Sequence, residues 1–195
     1  MSTRIKFISF YIALFSVVYL FNYLYDTHLN YNFEEISKEK VYKSGVIPPN
    51  KIVEYVQRYK IRSIIDLRMP GTKDLRLNPE KVDEIALEKE AVSKIAGLNY
   101  FNIPSDQVPS RNSIDTFLSI MNDQKNYPVL IHCYHGTGRA VLYSAIYKIE
   151  YENFTNEQAR LDTRELVIFS SFDHRTPKGE FLKSYVSRKN SLVRN

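Results

Sequence analysis

At 195 residues and 22.9 kDa the chain has room for one compact domain with a hydrophobic core plus an anchor or tail, but not for a second full domain. Hydrophobic residues make up 44% of it and only 6 positions are Gly, so low-complexity and collagen-like classes are excluded. The formal charge of +5 falls to +3 once Arg4 and Lys6 beside an apolar N-terminal run are set aside, and no basic cluster remains, which argues against a nucleic-acid partner.

Residues 7–25, FISFYIALFSVVYLFNYLY, carry no charge and are about long enough as a helix to cross the hydrocarbon core of a bilayer. The run is long for a cleaved signal and no A-x-A-like site follows it, so we read it as one transmembrane helix within a membrane anchor at 1–26. Arg4 and Lys6 precede it while Asp26, Glu34 and Glu35 follow. The positive-inside tendency then puts the N-terminus in the cytoplasm and the remaining chain on the outer, periplasmic side. Residues 27–40 are polar and acidic enough for a tether, leaving 41–195 for the folded domain.

Within that domain VYKSG reads as a short strand, and Ile52, Val53 and Val56 mark a helix over about 50–59. RSIIDLR follows as a buried strand, and Gly71, Asp74 and Pro79 fall in a loop. Val82, Ile85 and Ile95 with Ala91 predict a helix stopped by Gly97, and LNYFNI the next strand. Ser110 caps a helix with Ile114, Phe117, Leu118 and Met121 on one face. PVLIHC is a fully buried strand, AVLYSAIYKIEY a central helix, and Thr155 with Gln158 a capping box. Phe181, Leu182 and Tyr185 suggest a last short helix. Alternation of short strands with helices gives an α/β fold with a mostly parallel central sheet flanked by helices.

Cys133 is the only cysteine, so no intramolecular disulfide forms, and its surroundings must decide between a small buried hydrophobe and a reactive thiol. In PVLIHCYHGTGRA a buried strand leads through a loop with Gly136 and Gly138 into a hydrophobic helix. Such a loop lies at the C-terminal edge of the sheet, where backbone N–H groups and the helix N-terminus attract an anion. Cys133 and Arg139 stand at its two ends, with five residues between them. A thiolate at a helix N-terminus is a competent nucleophile, and a guanidinium grips two phosphate oxygens at once.

HCYHGTGR resembles the His-Cys, five residues, Arg signature of the protein tyrosine and dual-specificity phosphatase superfamily, and VYKSG, SIIDLR and PVLIHC extend the likeness to its compact bacterial and fungal branches over residues 41–151. The resemblance implies metal-independent hydrolysis of a phosphate monoester, a phosphoprotein of tyrosine or dual specificity, through a cysteinyl-phosphate intermediate and without a cofactor. His132 then fixes the thiolate, and Tyr134, His135, Gly136, Thr137 and Gly138 form the substrate loop. Phosphoinositide-directed members often carry lysines in this loop, and none stands here. Such enzymes take a general acid from a separate loop. Asp106 in PSDQVPS, 27 residues before Cys133, is the first candidate and Asp66 the second, ahead of Asp74.

Ala140 departs from the Ser or Thr that commonly follows the loop arginine and donates to the cysteine sulfur. His132, Cys133 and His135 crowd one turn and do not suit a metal. Alternatives are a catalytically weak phospho-ligand-binding module, a phosphatase for a phosphoinositide or other non-protein ester, and sulfur transfer.

Overall fold

The computed structural model describes residues 3–70, 82–163 and 170–188. Gly71, Asp74 and Pro79 of the expected loop lie outside the described residues. Helix α1, Thr3–Leu24, has 22 residues, and at 1.5 Å per residue this is roughly 33 Å, enough to cross a hydrocarbon core of about 30 Å. Its apolar side chains stand exposed, with Phe15 at 73%. One π-helical turn, Tyr25–Leu29, continues it. Tyr31 and Asn32, both left-handed at φ 55° and 51°, then turn the chain back toward the domain.

Where the polarity of 27–40 suggests a tether, the structure has a strand. β1, Glu34–Ser37, pairs antiparallel with β2, Val41–Ser44. The acidic composition is that of a sheet edge: Glu34 and Glu35 face solvent, while Phe33 stacks 5.4 Å from the Tyr42 ring and 4.4 Å from that of Tyr59.

The other strands are β3, Ser63–Asp66, β4, Asn99–Asn102, and β5, Val129–His132. The five-stranded sheet runs β1-β2-β5-β3-β4, and every pairing beyond β1 is parallel. Between the strands lie α2, Pro49–Tyr59, α3, Val82–Ser93, and α4, Arg111–Asn122, with α5, Arg139–Tyr151, α6, Asn156–Asp162, and α7, Pro177–Ser184, after the last strand. The cap at Ser110 accepts from Ser113 N–H at 3.1 Å and the Thr155–Gln158 capping box is closed.

Alternation along the buried strands sorts two cores. Val41, Ile65, Val129 and Ile131 meet Phe117, Met121 and Leu142 on one face, and Tyr42, Ile64 and Leu130 meet Ile52, Tyr55 and Val92 on the other. The parallel register aligns Ser44, His132, Asp66 and Asn102 in one row at the strand ends. The chain leaving each of these four strands therefore emerges at the same edge of the sheet, as expected for a ligand site in this architecture.

Candidate active site

Residues 133–138 leave β5 and enter α5 at Arg139, so the loop encloses the N-terminal end of a 13-residue helix buried on nearly every face. Its outer wall is pinned by the chain after β2. Val46 N–H donates to Tyr134 O at 3.0 Å, Cys133 N–H to Ser44 O at 3.4 Å, and Asn32 Nδ2 to His135 O at 2.8 Å. Gly136 has φ +77°, and a Cβ there would lie 2.4 Å from Gly45 N and 2.6 Å from Ser44 C. Only glycine lets the loop close on β2 so tightly. The glycine ending VYKSG serves the same contact, since a Cβ on Gly45 would meet His135 C at 3.0 Å.

Cys133 is buried, and Gly136 N–H donates to its Sγ at 3.3 Å. The bond turns a loop dipole toward the sulfur, as a thiolate requires. Arg139 is buried at the other end of the loop. Its Nη1 donates to Leu67 O at 2.9 Å and to Ser105 O at 3.4 Å, which ties the guanidinium to the segments following β3 and β4. Tyr143 steadies the second of these through a 2.9 Å contact with Ser105 Oγ, and burial pushes its phenol up to about 12. Tyr134 and His135 meet edge to face at 4.8 Å, and His135 and Thr137 face outward.

Asp106 is exposed on the loop after β4, between Ser105, whose carbonyl receives Arg139, and Gln107, whose Oε1 lies 3.4 Å from where a Cβ on Gly138 would be. Asp106 thus lies between two residues that approach the arginine and the cysteine loop. Asp66 is placed differently. It is fully buried, bonds Arg68 through both oxygens at 2.9 to 3.1 Å and receives Tyr100 Oη at 2.5 Å. Burial pushes its carboxyl up, but the His132 ring and the Arg68 guanidinium outweigh that and hold it below the usual carboxylate range.

Beneath the loop the same network orients His132. Nε2 lies 3.0 Å from Glu88 Oε1, an ion-pair approach without the alignment of a full hydrogen bond, and 3.7 Å from Asp66 Oδ1. Burial depresses the imidazole, but Glu88 and Asp66 outweigh it, and the net shift is upward. Asp66, Glu88 and His132 hold three donor atoms within 4.8 Å of one another, a spacing that a metal could use. The Arg68 guanidinium contacts both carboxylates and already takes the place of a cation there.

Glu88, Arg68, Gln107 and Asn32 escaped the sequence reading, as did Lys178 of α7, whose Nζ reaches 2.9 Å from the Gly138 Cβ position. SIIDLR carried the signal for Arg68, a charge directly after an apolar strand. The others lie on separate elements with no local pattern.

No curated protein sequence matches the chain. Among solved structures it is similar to TpbA of P. aeruginosa, at 16% identity and TM-score 0.60 over 84% of this chain and 91% of that one, a protein also solved with pTyr. It is similar to the catalytic domain of the PP-IP phosphatase SIW14 of S. cerevisiae, at 17% identity and TM-score 0.60 over 83% and 90%. It is also similar to PTPMT1 in complex with PI(5)P, at 18% identity and TM-score 0.55 over 83% and 97%. At these identities the likenesses establish the fold. Residues 9–179 match the PTP-NADK family, described as a DSP-PTPase phosphatase fused to NAD+ kinase, and the chain belongs to that family, within the cysteine-dependent dual-specificity phosphatase superfamily.

Proposed function

We propose that the chain hydrolyses phosphate monoesters through a cysteinyl-phosphate intermediate on Cys133, from a domain tied to a membrane by α1. The observation that carries this is Cys133 at the start of the loop, with Gly136 N–H on its sulfur, and Arg139 held at the loop's far end on the first residue of α5. The Cys133 thiolate attacks phosphorus as the ester P–O bond breaks, and Arg139 with the loop N–H groups takes up the charge on the equatorial oxygens. Asp106 gives its proton to the leaving oxygen. Water then attacks phosphorus, Asp106 recovers a proton from it, and the thiolate departs. His132 keeps the loop in place from below.

Phosphorylated side chains are one class of substrate for such a site, as the pTyr-bound relative illustrates, and small phosphorylated polyols are another. The exposed apolar surface of α1 supports the membrane placement, because among the described residues none buries its apolar side chains. Its flanking charges support an outward-facing domain.

The test is turnover of an aryl phosphate by the full chain in detergent. Activity inhibited by vanadate, indifferent to EDTA and abolished by Cys133→Ser and by Arg139→Lys is expected. Activity that survives Cys133→Ser, or that EDTA removes, overturns the mechanism.

A further inference from the structure

Lys178 brings to the loop a lysine that the loop's own sequence lacks. Its Nζ occupies the space left by the missing side chain of Gly138, 2.9 Å from where that Cβ would be, beside Gln107 Oε1 at 3.4 Å from the same point. The ammonium lies 5.4 Å from the centroid of the buried Phe172 ring. Helix α7 gives it a firm base. Thr176 Oγ1 accepts from Gly179 N–H at 3.1 Å, Leu182 is fully buried, and Gly179 packs so closely that a Cβ would meet Asp173 O at 2.1 Å.

Three effects oppose a cation at this point. The first turn of a helix carries positive potential. Burial disfavours the ammonium and lowers its pKa, and the Arg139 guanidinium adds repulsion, with the Cys133 sulfur as the opposing anion. Among the described residues no carboxylate lies within ion-pair distance of Nζ. A cation kept in so adverse a place calls for anions, and Gly138 is itself part of the loop that would take the scissile phosphate. The Cys133 sulfur is one anion that favours the ammonium, and a phosphate beside the loop would supply another.

We propose that Lys178, with Gln107 beside it, binds a second phosphate on the substrate, adjacent to the one that Cys133 attacks, so that the preferred ester is a vicinal bisphosphate. The proposal rests on the phosphatase reading above and narrows it. The lysines absent from Tyr134, His135 and Thr137 are replaced by one reaching in from α7.

The experiment compares kcat/KM for an inositol monophosphate and a vicinal inositol bisphosphate, using the full chain in detergent and its Lys178→Met, Lys178→Gln and Lys178→Arg variants. The native chain is expected to prefer the bisphosphate. Neutral substitution should lower the ratio of bisphosphate to monophosphate turnover by about tenfold to a hundredfold, the range of a charge-assisted hydrogen bond, chiefly through KM, with Lys178→Arg retaining most of it. No native preference, or an equal loss on both esters in the variants, overturns the proposal. Aryl phosphate turnover measured alongside keeps the two readings apart, since its absence in the native chain would sink the phosphatase reading itself.

Discussion

Asp106 and Asp66 follow or end neighbouring strands, and their surroundings divide the roles between them. Asp66 spends its lone pairs on Arg68 and Tyr100 and is fully buried, so its proton has no path to a leaving group. Asp106 is exposed on a loop whose neighbouring residues touch the cysteine loop and its arginine. Asp106→Asn should therefore cost roughly 10²-fold or more in kcat on alkyl esters, the usual scale of a general acid, and much less on aryl esters with good leaving groups. Asp66→Asn should instead lower stability by about 3 kcal/mol, because it removes one of the two carboxylates that pair the buried Arg68 guanidinium. Urea unfolding and a leaving-group series measure both. A leaving-group dependence that appears in Asp66→Asn and not in Asp106→Asn would exchange the assignments.

Two elements make the loop's foundation, and each has its own signature. The helix α3 supplies Glu88 to His132, whose folded pKa is raised above the ordinary 6.5. Its contribution to stability is complete below 6.5 and is lost as pH rises through the folded value, whereas that of Asp66, lowered from 3.8, is complete above 3.8 and lost as pH falls. Glu88→Gln removes a main cause of the upward shift on His132. The alkaline loss of stability should then begin at lower pH, as urea midpoints between about pH 6 and 9 would report. An unmoved or raised onset would contradict the pairing. The strand β1 and the turn before it make the second support, through Asn32 on His135 O, Tyr31 O on Gly45 N–H and Phe33 in the aromatic cluster. A chain beginning at Tyr31 should be soluble and active, one beginning at Val41 should lose activity and unfold more easily, and the full chain should resist extraction by carbonate. Equal activity and stability of the two shortened chains would deny β1 this role.

Across the whole molecule, residues 132–139 are met by Asn32, Gly45, Glu88, Ser105 and Lys178 from nearly the full length of the chain. What was legible beforehand was local: a strand, a loop and a helix whose periods and glycines sit side by side in PVLIHCYHGTGRA, and the caps at Ser110 and Thr155. What was not legible depends on distant packing. The residues of β1 look like a tether because an edge strand with one wet face has the same polarity. Glu88 and Lys178 are ordinary charges of amphipathic helices until the fold turns them toward the loop. The central claim, a phosphoryl group carried on Cys133, is tested most directly by rapid acid quench and mass analysis during turnover of an aryl phosphate. Ala140 lacks a hydroxyl to stabilise the departing sulfur, so breakdown of the intermediate should be slow enough for it to accumulate. A burst of product matched by one phosphoryl group on the peptide containing Cys133 is expected. Turnover at the native rate with no burst, and with no phosphoryl group on that peptide, would contradict it.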